Sequence, residues 1–247
     1  MMLEQSETVL EGDAATWFLR GVLATLSVPL IILISAFVGF AGLAHESGLT
    51  MAETVFMTGI VWALPGQVVL VGSVLSGSSL AATAFAVALS SVRLMPMVMA
   101  LVPEMRTRST RNWVLLLLSH FIAVTSWVLA AERLPDVPRE RRTAFYGGLG
   151  STLVLVNMVV VVVVYLVAPH LPTAVSAGLF LLTPIYFITS LWGSAREHAA
   201  YYAMGLGVAF GPIFHMIVPG FDLLGAGLVG GLGGYALHRL CRREAAR

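Results

Sequence analysis

Two side chains in this sequence sit where ordinary packing explains them poorly. Arg93 lies inside an apolar run over 79–101, with Ser90 and Ser91 just before it and Pro96 just after. A charge at the centre of a membrane-crossing segment costs at least about 2.5–3.5 kcal/mol, so it marks a functional position by default. Its guanidinium fork can hold a carboxylate through two parallel bonds; the alternative is an internal clamp on freed backbone carbonyls. Gln67 closes the Pro65-Gly66-Gln67 interruption of the preceding run, 54–75. A proline inside a helix removes the donor for the carbonyl four residues back, here that of Val61, and glycine loosens the backbone beside it. Such a break survives in hydrocarbon only where protein or a wet cavity lines it. Gln67 can donate and accept, so it serves either a ligand or the freed backbone.

Further polar residues interrupt later apolar runs. Thr183, Pro184 and Tyr186 form a second candidate break. Asn157, inside a valine-rich run, is either a ligand contact or an interhelical hydrogen bond worth ~1 kcal/mol. His120, His215 and Asp222 are the candidates for moving protons, since histidine titrates near neutrality; an ordinary hydrogen-bonded histidine is the simpler alternative. No histidine pair has metal-ligand spacing, and no nucleotide loop or nucleophile motif is present. No cofactor or metal is therefore expected. The single cysteine, Cys241, excludes a disulfide framework.

These residues must be positioned by membrane helices. The 247-residue chain is 58% hydrophobic and 11% charged, with a net charge of +1 and a mean hydropathy of +0.89, against about 25% charged residues in soluble domains. A basic groove for nucleic acid is absent. Runs long enough for ~30 Å of hydrocarbon fall at 22–44, 54–75, 79–101, 113–131, 144–168, 174–192, 201–218 and 222–239. The expected fold is all-α, a polytopic transmembrane bundle of seven or eight spans with interrupted helices near Pro65 and Pro184. The last two runs are short and glycine-rich, which leaves the count open. Residues 1–21 read as an N-terminal segment, 22–239 as the membrane domain and 240–247 as a tail.

Arginines in the connections favour both termini on the cytoplasmic side. Arg106, Arg108 and Arg111 conflict with that scheme, which places 102–112 outside unless the second run is re-entrant. Tryptophans, Trp62 among them, read as interfacial anchors near span ends. Sliding the chain so that Pro65 meets Pro184 overlays spans 1 to 3 on spans 5 to 7, a weak internal repeat of the kind that points to a transporter site. Gly227 and Gly231, four apart, match the small-residue pattern of close helix contact, either within the chain or toward a partner.

The stretch Phe18-Leu19-Arg20-Gly21, Pro29, the run FAGLAHESGLT from Phe40, the broken segment ending in Gln67, Ser91-Val92-Arg93 and the segment from Leu181 to Phe187 together resemble the AzlC family of bacterial inner-membrane proteins. Where that family usually has Ala-Gly-Ala-Ser-Gln and Asn-x-Arg-His, this chain has Leu64-Pro65-Gly66-Gln67 and Ser91-Val92-Arg93-Leu94, so Gln67 and Arg93 carry over. The resemblance implies export of branched-chain amino acids and a small four-helix membrane partner of AzlD type. The lack of a nucleotide motif points to the proton gradient as the energy source. A non-transporting membrane scaffold, or an exporter of another small metabolite, is the alternative.

Overall fold

The computed structural model describes residues 13–170, 198–217 and 222–244, with the isolated positions 172, 178, 181 and 185. Thr183, Pro184 and Tyr186 lie outside the described residues. Among the described residues every regular element is helical. Four helical stretches are long and apolar enough to cross a membrane: Val28–Glu46, Leu80–Met105, Arg139–His170 and Ala199–Ile217. The chain divides into two compact units, Met1–Gln67 with Ser91–Leu182, and Val68–Ser90 with Thr183–Arg247.

In the first unit, helix α1 (Ala14–Ala24) precedes α2 (Val28–Glu46). The expected span 22–44 therefore starts later and is preceded by a separate helix. Pro29 sits in the first turn of α2 and Ser27 is extended. Proline is tolerated there because its missing N–H is one of the unpaired ones, but it blocks continuation from upstream. The 21/22 boundary falls inside α1. Helix α3 (Met51–Ile60) is followed by α4 (Leu64–Leu75), which continues into the second unit after Gln67. Helix α5 (Leu80–Ser91) belongs to the second unit except at its end; the turn Val92–Leu94 and α6 (Met95–Met105) follow. Then come α7 (Asn112–Ser119), α8 (Val124–Arg133) and the long α9 (Arg142–Val167).

The core of this unit is α9, packed against α1, α2, α3, α7 and α8. Glycine makes the α1 crossing close. A Cβ on Gly148 would fall on the Phe18 carbonyl, and one on Gly21 would fall on the Phe145 carbonyl. The Arg20 guanidinium lies 4.4 Å over the buried Trp17 ring on the same helix.

The expected fourth span, 113–131, is not one helix. Arg106 Nη2 donates to Asn112 Oδ1 at 3.1 Å, holding the start of α7 near the end of α6. Arg142 Nη1 meets Glu104 Oε2 at 2.6 Å, and Arg139 Nη2 reaches the Pro103 carbonyl at 3.3 Å. Both ends of the 112–133 stretch thus lie at the N-terminal end of α9. The chain runs inward along α7, turns at 120–123 and returns along α8. Eight and ten residues at 1.5 Å each make arms of roughly 12–15 Å, half a hydrocarbon thickness. This hairpin puts Arg106, Arg108 and Arg111 at the same end as Arg133, Arg139, Arg141 and Arg142.

At the opposite end, Thr50 and Glu53 form a capping box on α3: Glu53 Oε2 accepts from the Thr50 N–H at 2.8 Å and hydroxyl at 2.7 Å. The Thr50 backbone and hydroxyl bonds hold the exposed Glu53 carboxyl below its ordinary value of 4.5. A depressed carboxyl stabilises the fold above its unfolded pKa, and that contribution is lost as pH falls through the folded one. Melting curves of wild type and Glu53→Gln should therefore differ near neutrality and converge well below pH 4.5. A gap that does not change with pH would show that the cap is not ionic. Thr50→Ala should cost ~1 kcal/mol at neutral pH.

In the second unit, α10 (His198–Ile217) and α11 (Asp222–Glu244) form an antiparallel pair. The expected tail boundary at 240 falls within α11. Its glycines fit against α10: a Cβ on Gly230 would meet the Ala203 carbonyl at 2.9 Å, and one on Gly234 the Ala203 N at 2.5 Å. Gly227 and Gly231, by contrast, have no described atom within 4 Å.

Candidate functional site

The break in the second apolar run lies ahead of the proline. Helix α3 stops at Ile60 and α4 starts at Leu64, so Pro65 occupies the first turn of α4, where its lacking N–H does no harm. The bond it cannot give is the one to the Val61 carbonyl, and there the helix opens. That carbonyl accepts instead from Ala63 N at 2.7 Å, a tight turn, and from Gln67 Nε2 at 2.6 Å. Gln67 has 0% exposure, and its Oε1 has no hydrogen-bond partner in the structure. A backbone carbonyl can only accept, so the orientation of the amide follows: nitrogen on Val61, oxygen unmatched.

The tip of the α7–α8 hairpin meets this break. His120 Nε2 is 2.8 Å from the Gly59 carbonyl, so Nε2 carries the hydrogen and Nδ1 is left for a proton. Trp62 Nε1 donates to the Phe121 carbonyl at 3.2 Å, while its ring stacks on Phe37 at 5.6 Å and 14°. Trp62 is 5% exposed; it is a core side chain joining two breaks and not an interfacial anchor. Ser126 Oγ caps Ala123 N at 2.9 Å, bonds the Phe121 carbonyl at 2.6 Å, and receives the Tyr146 hydroxyl at 3.3 Å. A Cβ on Gly150 of α9 would lie 2.5 Å from Phe121 Cβ, so the tip rests directly on that helix. Replacing Trp62 with Phe keeps the stack and deletes the N–H. Thermal unfolding in detergent should show a loss of ~1 kcal/mol.

Asn157 on α9 is level with the same break. Helices α3 and α9 are antiparallel, since the Thr54 hydroxyl lies 2.6 Å from the Tyr165 hydroxyl and Gly59 lies beside Met158. Asn157 has 0% exposure; its Nδ2 donates to the Leu153 carbonyl at 2.7 Å, and its Oδ1 has no partner.

The remaining candidates are spread out. Arg93 stands in the Val92–Leu94 turn, because Pro96 cannot donate to the Val92 carbonyl and Met95 N takes that acceptor in a tighter turn. Its side chain is exposed, where the sequence suggested a buried one. Ser90 donates to the Val87 carbonyl at 2.8 Å. His215 is exposed on α10, and Asp222 begins α11. Among the described residues no three His, Cys, Asp or Glu side chains form a group able to hold a metal ion. The structure thus brings Pro65, Gly66, Gln67, His120 and Asn157 into one unit around two facing breaks. The residues that sequence reasoning missed are Trp62, Ser126 and Phe121.

The residue pattern that defines the family described as AzlC protein matches residues 29–171, more than half of the chain. The chain belongs to the AzlC family. No curated protein and no solved structure matches it. The matched AzlC region runs from the first turn of α2 to just beyond α9 and contains both breaks, Arg93, His120 and Asn157. Membership of this transporter-type family, together with the apolar helices, makes the chain a multi-pass membrane subunit related to transport.

Proposed function

We propose that this AzlC-family chain exports branched-chain or other small apolar amino acids across a bacterial inner membrane, driven by the proton gradient, together with a small four-helix partner of AzlD type. The observation that carries this reading is Gln67, wholly buried at a helix interruption within the family region and holding one unmatched acceptor. Interrupted helices near the midplane are where carriers seat polar substrate groups. Apolar side chains of the substrate would lie against the valines and leucines around the breaks, and Arg93 would meet its carboxylate. Pro65, Gly66 and Ser91 would contribute to the same path within the first unit. His120, through Nδ1, is the first choice for the coupling proton, ahead of His215 and Asp222. The end of the first unit that carries Arg106, Arg133 and Arg142 would face the cytoplasm, and the open glycines Gly227 and Gly231 would receive the partner helix.

The test is flux of radiolabelled leucine and methionine in proteoliposomes, with and without the partner, under an imposed pH gradient. Flux that requires the partner and stops when the gradient is dissipated is the expected result. Absence of flux in every combination, with the protein shown to be folded, would overturn it in favour of a scaffold or another substrate.

A further inference from the structure

The facing breaks are rich in acceptors. Gln67 Oε1 and Asn157 Oδ1 are both buried and both unmatched, and in each case the amide nitrogen is tied to a backbone carbonyl, so neither can flip to present a donor. Leaving a buried acceptor unpaired carries a desolvation penalty; two at one level of the fold call for a donor from outside the chain. Helix polarity is balanced: α3 and α7 end at the breaks and α4 and α8 start at them, so each break offers one partly negative and one partly positive end.

We infer that this site receives a primary ammonium group, held by Gln67 Oε1 and Asn157 Oδ1, and that the N-terminal ends of α4 and α8, which start at the same breaks, favour the opposite charge of a zwitterion. An ammonium has three donors and no acceptor, which complements two lone amide oxygens. This assignment deepens the amino-acid reading and rests on it for the identity of the substrate, but it makes its own demand: ligands are selected by their nitrogen end. Acids without the amine, and amides that cap it, are rejected.

The experiment measures binding to the full chain in nanodiscs by calorimetry with three probes of one side-chain shape: leucine, 3-methylbutylamine and 4-methylpentanoate. Leucine and the amine should bind, and the acid should not displace them. Asn157→Leu and Gln67→Leu should each weaken the amine by about tenfold or more, as expected for losing a hydrogen bond to a charged group. Asn157→Asp keeps the acceptor and should bind the amine at least as tightly as wild type, which separates a lost contact from a damaged fold. The inference is overturned if the acid competes as well as the amine, if both leucine variants bind the amine normally, or if no probe binds and the two oxygens hold only water. Normal leucine flux in the Asn157→Leu and Gln67→Leu variants would sink this assignment while leaving the transport proposal standing; amine binding without flux would do the reverse.

Discussion

Gly148→Ala is expected to loosen helix α1 from α9 and to destabilise the first unit strongly. The new Cβ would fall on the Phe18 carbonyl, and the reciprocal change Gly21→Ala would fall on the Phe145 carbonyl. Both obstacles are backbone, so no rotamer change relieves them. Overpacking a well-filled core costs about 1–3 kcal/mol, more where the backbone itself must shift, against a total of about 5–15 kcal/mol. The control is the adjacent Gly147, where a Cβ would approach only side chains, Leu118 Cδ2 at 3.6 Å and Phe18 Cδ2 at 3.9 Å. Gly147→Ala should melt close to wild type, while Gly148→Ala should melt well below it and expose the N-terminal helix to protease. Equal melting of the two alanine variants would show that the crossing tolerates separation.

Arg93→Ala should abolish export and leave insertion and melting near wild type, the opposite pattern to Gly148→Ala. Arg93 is the midpoint of the Leu80–Met105 stretch and is itself exposed, so its removal opens no cavity. Deleting one member of a hydrogen-bonded charge pair costs about 2–5 kcal/mol, at least about 30-fold in affinity. Arg93→Lys keeps the charge but loses the planar fork, and its flux should fall between wild type and alanine. Full export by Arg93→Ala in the reconstituted system would remove Arg93 from the substrate path. Lysine behaving as well as arginine would argue that charge alone is used.

The two helix interruptions differ in how visible they were in the residues. Pro65-Gly66 announces the first, although the opening lies at 61–63, because a proline harms the carbonyl four residues earlier and then starts the next helix comfortably. The second, at 120–123, falls in a run with neither proline nor glycine, NWVLLLLSHFIAVTSWVLAAER. What ends the helix there is tertiary: Ser126 caps Ala123, and Trp62 and His120 tie the tip to the other break. Hydropathy alone reads such a stretch as one span. The misfit of Arg106, Arg108 and Arg111 was the one available hint that something in this region turned back. For the same reason Trp62 read as an interfacial residue. An apolar pattern ranks residues by affinity for lipid or protein core without separating the two. Gln67 and Asn157 stood out as polar residues in apolar runs, but their unmatched oxygens depend on which carbonyls the nitrogens meet, which no spacing specifies.

The reciprocal glycine contact between α1 and α9 also bears on how the chain is made. Translation proceeds at about 5–20 residues per second, so Gly21 leaves the ribosome many seconds before Phe145 and Gly148 exist. During that interval Trp17 and the rest of α1 lack the surface that will bury them. A nascent chain stalled before α9 should therefore be cleaved readily within α1. Extension through Val167 should protect it, which makes the docking of the first helix a late check on the insertion of the ninth.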